Sequence, residues 1–204
     1  ETLAVIAYKQ PISRGQVASI RSVNVADFAP ISNREEQWRY LDADRLNGLD
    51  SAEIGEYIGD IETKAPAGVE TAWVGPEHPA FGAAGIPEDR TSAAAWQAAE
   101  QAYLVTIPSE SKPDCEVQIG IGSESVTPSA LHVIIDAKPF SRGTVILDHK
   151  GAAVLGENVE IIVGDEAGIT VISIQDWDTD AVHNSSQFAK LGRNSKLRHM
   201  VVSL

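Results

Sequence analysis

Past Pro108 the sequence becomes a succession of short Val- and Ile-rich runs divided by turn residues: CEVQIGIG, ALHVIIDA, GTVILDH, VEIIVG, ITVISIQDW and RHMVVSL. Branched aliphatic side chains favour extended backbone, because they suit the pleat of a sheet and lose χ1 freedom in a helix. Gly, Pro, Asn or Asp stand between successive runs, and no helix of ten or more residues fits between them. A doubly wound α/β sheet needs such helices, so this region is expected to be all-β.

Two internal echoes narrow the class. LGENVEI at 155–161 returns as LGRNSKL at 191–197, an offset of 36, and AGITVISI resembles SKLRHMVVSL with Ile169 matching Leu197, an offset of 28. Periods of about 20–50 residues are the mark of a stacked solenoid, in which each coil buries its apolar face on the next. A sandwich is the alternative. The chain closes on HMVVSL, a good strand with no turn after it. A bare apolar strand edge invites association, so the reading expects a polypeptide truncated at Leu204 whose remainder continues the stack, and a possible dimer of the fragment through the open edge.

Before Pro108 helix signals lead. Ser32 or Asn33 is a cap for a helix with Glu35 and Glu36 in its first turn, where the positive end of the helix dipole favours acids. Trp38, Leu41 and Leu46 give it an apolar face, and Gly48 is its stop. Asp50 or Ser51 is a cap for a second helix carrying Ile54, Tyr57, Ile58 and Ile61. A Pro- and Gly-rich loop from Pro66 to Pro87 holds Trp73 and Phe81 as anchors. Ser92 then precedes a helix in which Trp96, Ala99 and Tyr103 recur at helical spacing as core residues. The predicted fold class is α+β: a short N-terminal helical region over 1–107, then over 108–204 the first coils of a right-handed parallel β-helix, mainly β.

Charge and composition exclude several function classes. Of 204 residues, 43% are hydrophobic and 22% charged, as in ordinary globular proteins, and the net charge of −13 repels phosphates. Neither nucleic acid nor an anionic membrane is an expected partner. The tail from Ala181 carries Lys190, Arg193, Lys196 and Arg198 without an acid, which reads as a solvated face. No apolar run approaches the roughly 20 residues of a membrane span. The opening ETLAVIAYKQ has neither a starting Met nor the order of a signal peptide, so a start inside a longer reading frame is expected. Cys115 is the single cysteine, which suits a reducing, cytoplasmic setting. Its neighbours Asp114 and Glu116 would raise its pKa, and it reads as a small hydrophobe.

No motif announces chemistry. Asp176, Asp178 and Asp180 alternate as calcium ligands could, but a loop of the EF-hand type needs Gly sixth and Glu twelfth, where Ala181 and Gln187 stand. That knot reads as a turn, with Trp177 packed on the stack and the aspartates in water. The histidines at 78, 132, 149, 183 and 199 form no HxH, HxxxH or HExxH pattern, and His132 and His149 read as structural residues. Gly120-Ile121-Gly122 lacks a third glycine and a following helix, there is no P-loop, and no GxSxG elbow occurs. Asn184-Ser185-Ser186 fits a glycosylation acceptor, without meaning unless the chain is secreted. The residues alone name no catalytic, cofactor-binding or metal position, and the chain is expected not to be an enzyme.

A family likeness adds to this. SNREEQWRYLDADRLNGL resembles the N-terminal helix of SufD-type subunits in the SufB/SufD family, where a Glu-Glu-x-Trp-Arg-Tyr/Phe pattern is typical. AWQAAEQAYLVTIP is similar to the helix leading into their β region. SRGTVILDHKGAAVLGENVEIIVGDEAGITVISIQDWDTDAVH and FAKLGRNSKLRHMVVSL resemble successive coils of their β-helix. The likeness runs from about Phe28 onward, with one departure at RYLDA, where the family often has Thr after the aromatic. It implies a non-catalytic scaffold of a SUF iron–sulfur cluster assembly complex, pairing with a SufB-like paralogue and recruiting a SufC-type ATPase. It implies no cofactor in this stretch, with the iron–sulfur cluster belonging to the full assembly, and no functional residue is carried over. Two other readings stand beside it. One is a β-helix enzyme acting on a polysaccharide, with an acidic calcium site at Asp176, Asp178 and Asp180 assisted by Arg193. The other is a small jelly-roll metal enzyme with histidine ligands.

Overall fold

The computed structural model describes residues 23–112 and 116–204. Cys115 and the opening decapeptide lie outside the described residues. The branched runs after residue 116 form strands as their composition dictates: β5 (Val117–Ser123), β6 (Ser129–Ala137), β7 (Arg142–Gly151), β8 (Val154–Val163), β9 (Gly168–Trp177), β10 (Val182–Leu191) and β11 (Lys196–Ser203). They are preceded by β1 (Gly55–Glu56), β2 (Asp60–Lys64), β3 (Glu70–Val74), the helix α1 (Arg90–Ala98) and β4 (Ala102–Ile107).

The strands stack as a parallel β-solenoid. One sheet runs β10-β8-β6-β4 and the other β11-β9-β7-β5, so each of four coils places one strand in each sheet. Ile169 lies beside Leu197, confirming the offset of 28. The offset of 36 is not a structural register: Leu155 pairs with His183, and Leu191 with Val163. LGENVEI lies wholly within β8, whereas LGRNSKL spans the turn from β10 into β11.

The first coil is closed off differently from the rest. On it, β3 pairs antiparallel with β4, and β2 pairs antiparallel with β5. A solenoid needs its terminal coil covered by something other than another coil, and these two strands supply the cover. Here the expected helical preface is corrected. Ile54, Ile58 and Ile61 suggested helix by their spacing, but the segment folds as β1 and β2. The loop expected over Pro66–Pro87 contains β3.

The helix expected from Asn33 is also absent. The chain makes single 3-10 turns at Glu36–Trp38 and Ala43–Leu46. The Asp42 carboxylate accepts from the Asp44 amide, and Asn47 and Gly48 then adopt positive φ of 49° and 88°, which ends helical winding. Only α1 survives of the expected helices. Asp89 is its N-cap and Ser92 completes a reciprocal capping box. It stops at Ala98, and Tyr103, expected on the same helix, lies on β4.

Alternation along the strands separates two surfaces. In β5 the residues Val117, Ile119 and Ile121 point into the solenoid and are buried, while Gln118 and Gly120 are only partly so. By contrast β6 is buried along its whole length. Its inward face carries Leu131, Val133 and Ile135 in the main core. Its outer face meets α1 and the turns before it, through Ala130 with Leu46, Leu49 and Ala95, and through Ile134 with Phe81 and Trp96. Each fully buried Leu, Ile or Phe is worth about 1.5–3 kcal/mol.

Candidate functional site

The acidic knot does not converge. Asp176, at the end of β9, and Asp178 and Asp180, in the turn after it, are exposed, as expected, and Arg193 lies at the next turn along. Trp177 is partly buried against the core, as the sequence suggested. Among the described residues, the one group of three or more His, Cys, Asp or Glu donors close enough to share an ion is elsewhere: His149, Glu157 and His183.

The stacking register assembles this group. On the inward face of one sheet the row Ile61, Ile121, His149, Gln175 runs across β2, β5, β7 and β9. Opposite, the row Leu131, Glu157, Ser185 runs across β6, β8 and β10. Each row begins apolar and turns polar as the coils advance. The polar ends face each other across the interior, and His183, two residues before Ser185 on β10, joins them. His149 and Glu157 are sealed from solvent, while the His183 side chain keeps 8% of its exposure.

The hydrogen bonds fix the orientation of each group. His149 Nε2 lies 3.1 Å from Glu157 Oε1, and His183 Nε2 lies 3.2 Å from Oε2 of the same carboxylate. Ser185 Oγ donates to Oε2 at 2.9 Å. On its far side, His149 Nδ1 lies 3.0 Å from the Ile174 carbonyl, which can only accept, so Nδ1 carries the hydrogen. His183 Nδ1 lies 2.6 Å from Gln175 Oε1. The indole N–H of Trp177 donates to that same atom at 3.0 Å. An indole cannot accept, so the atom is the amide oxygen and His183 Nδ1 must donate. Both imidazoles therefore have Nδ1–H committed and Nε2 aimed at one carboxylate.

Electrostatics follow from burial and proximity. Burial alone would lower the His149 pKa, but the charge of Glu157, its hydrogen bond and the Ile174 carbonyl outweigh this and raise it. Burial alone would push Glu157 up, yet the charges and hydrogen bonds of His149 and His183 hold its carboxyl well below the usual range. Tyr57, whose hydroxyl donates to the Gly122 carbonyl at 2.6 Å, is raised by burial and by the Glu157 and Asp60 charges. The site thus keeps an anion under two converging imidazoles.

A second buried pair lies on the outer face of the same sheet. His132 Nε2 is 3.0 Å from Glu160 Oε1. That carboxylate also accepts from the backbone amides of Gly82 at 2.6 Å and Ala84 at 2.8 Å. The His132 ring is flanked by Phe81 and Trp96, with centroids 4.5 and 4.7 Å away. This pair pins the loop before α1 to the sheet. His132 is paired through Nε2, while its buried Nδ1 has no hydrogen-bond partner among the described residues.

None of the three converging residues stands out as a site in the sequence. They sit on three strands, with His149 and Glu157 separated by a turn and His183 one coil further on. The 28-residue offset puts Ser185 beside Glu157, and an offset of 26 puts Gln175 beside His149, but neither brings the three themselves into register. The Asn184-Ser185-Ser186 acceptor lies within β10, where the Asn184 amide donates to Thr91 Oγ1 at 2.9 Å and Ser185 points inward.

Fold and site together define a parallel β-solenoid whose interior turns from apolar to polar along its axis. Residues 120–204 match the family described as "SUF system FeS cluster assembly, SufBD core domain". An iron–sulfur cluster assembly SufBD family protein of Mycobacterium leprae is 33% identical over 185 residues, covering 90% of this chain and 47% of that protein. Proteins of the same description from Mycobacterium tuberculosis and Mycobacterium bovis are 33% identical over 187 residues, with the same coverage. The chain is thus similar to the SufBD core domain over residues 120–204 and to these SufBD family proteins over 90% of its length. It spans about half the length of the curated relatives it matches. No solved structure matches it. Among the described residues no helix is long and apolar enough to cross a membrane, which says nothing of a β-barrel.

Proposed function

We propose that this chain is a non-catalytic scaffold in a cytoplasmic, SUF-type iron–sulfur cluster assembly complex, in the position of the SufD-like subunit. It pairs with a SufB-like paralogue, and a SufC-type ATPase recruited by the whole protein supplies the hydrolysis. The observation that carries this reading is the coincidence of the SufBD core match with the stacked coils of residues 117–203. The lack of a P-loop agrees with ATP being hydrolysed on another chain. The Glu-Glu-x-Trp-Arg-Tyr run at 35–40 favours the SufD-like over the SufB-like subunit.

Co-purification tests it. The full-length protein, expressed with SufB-like and SufC-like proteins of the same genome, is expected to elute with both in one complex. Separate elution of correctly folded subunits would overturn the assignment. Residues 1–204 alone are expected not to retain the ATPase.

A further inference from the structure

We propose that His149, Glu157 and His183 form a binding site for one divalent transition-metal ion inside the solenoid. The inference stands on side-chain geometry and does not depend on the iron–sulfur assignment.

Three observations carry it. First, the donor set is two imidazole nitrogens and one carboxylate, the set that takes borderline ions such as Zn²⁺ or Fe²⁺ rather than Ca²⁺ or Mg²⁺. All three ligand atoms lie within 4.8 Å of one another. An ion about 2.1 Å from each donor has its donors about 3.4 Å apart; His149 Nε2 lies 3.1 Å from one oxygen of the Glu157 carboxylate and His183 Nε2 lies 3.2 Å from the other. Small side-chain adjustments close the remaining gap between the imidazoles.

Second, the partners behind the ligands are those of a built site. Ligating histidines bind through one nitrogen and donate the other N–H to a fixed acceptor, which sets tautomer and ring orientation. Here the Ile174 carbonyl does this for His149, and Gln175 Oε1, itself fixed by the Trp177 indole, does it for His183. With Nδ1–H donated in each ring, Nε2 is the nitrogen that faces the carboxylate: in metal-free protein it hydrogen-bonds Glu157, and an ion bound on the shared side takes the place of that proton.

Third, the interior has unmet polar capacity beside the group. Gln187, two residues beyond Ser185 on β10, donates to Ser185 Oγ at 3.3 Å, while its buried Oε1 has no hydrogen-bond partner among the described residues. Its amide is linked to the group through Ser185, whose hydroxyl donates to Glu157, and metals bound by three protein groups keep an open position for water. Of the three ligands only the His183 side chain reaches solvent, so the ion enters from its side.

Metal analysis tests the site. The full-length protein, stripped with chelator, is equilibrated without oxygen with Zn²⁺ or Fe²⁺ and desalted, and its metal is counted. About one equivalent is expected for wild type, and less than a tenth of that for Glu157→Gln and for His183→Gln. Circular dichroism and urea midpoints establish that the variants are folded. Co²⁺ gives a second readout: visible bands of a low-coordinate nitrogen and oxygen site are expected in wild type and absent in the variants. The Zn²⁺ and Fe²⁺ arms show which ion is held more tightly. Wild type that retains neither ion after desalting, or folded variants that retain as much as wild type, would overturn the proposal. If both variants unfold, His199→Gln and the Co²⁺ spectrum of wild type decide: imidazole-type bands in both sustain the site, and their absence in wild type ends it.

Discussion

Two buried histidine–glutamate pairs sit on opposite faces of β8, and their surroundings differ in kind. Glu160, facing outward, is held by two backbone amides as well as by His132. Glu157, facing inward, is held by side chains alone, namely His149, His183 and Ser185. A backbone amide cannot be substituted away and fixes a loop by being satisfied. A carboxylate ringed by side chains fixes no chain segment and leaves its ligands able to change partner. The outer pair is a fastening, and the inner group is a site.

The largest effect expected from breaking this comparison is on the inner group. Glu157→Ala strands two imidazoles and a hydroxyl in the interior, and removing one partner of a buried pair typically costs about 3–5 kcal/mol. Urea unfolding measures it, and a loss below 1 kcal/mol would mean the interior is wet. On the outer face, replacing both partners together with His132→Leu and Glu160→Met leaves the Gly82 and Ala84 amides without an acceptor. At about 1–3 kcal/mol for each orphaned group, a loss of about 2–6 kcal/mol is expected. No apolar combination at 132 and 160 should recover it, and increased proteolysis within 78–86 is the accompanying sign.

A smaller effect sharpens the contrast through pH, in metal-free protein. Because the folded Glu157 is held below its ordinary value of 4.5, its contribution is present above that pH and lost as pH falls through the depressed folded value. Because the folded His149 is raised above 6.5, its contribution is complete below that pH and lost as pH rises through the raised folded value. The groups facing them are His183, Gln175, Ser185, Asp148 and the Ile174 carbonyl. Wild-type stability relative to a variant apolar at 149, 157 and 183 should therefore be greatest between about pH 4.5 and 6.5 and decline on both sides. A difference independent of pH from 4 to 9 would contradict this.

The β-solenoid was legible because its physics is local and repeated. Val145, Leu147, Val159, Ile161 and Val171 announce strands by residue type alone, and Ile169 and Leu197 announce the coil length. Strand β10 was not read, since HNSSQF offers few branched aliphatics, and it is polar because it faces the site. The capping strands were missed for another reason: isoleucines at spacings of four and three suit one face of a helix, and the antiparallel partners β4 and β5 decided the outcome. Likewise Trp96, Ala99 and Tyr103 are all buried, as expected, yet the helix ends between them and two elements share the load. The inner group was illegible because its members meet only after two sheets face each other, and a one-residue change of parity on β7 would turn His149 outward.

The most direct measurement is the unfolding free energy of the metal-free triple variant His149→Leu, Glu157→Met, His183→Leu beside wild type at neutral pH. A group kept for binding rather than for the fold predicts a variant as stable as wild type or more so, by up to about 4 kcal/mol, since apolar replacement of a whole buried ionic group is often stabilising. A loss of 2 kcal/mol or more with the parallel coils intact would show that the polar interior is itself part of what holds the solenoid together.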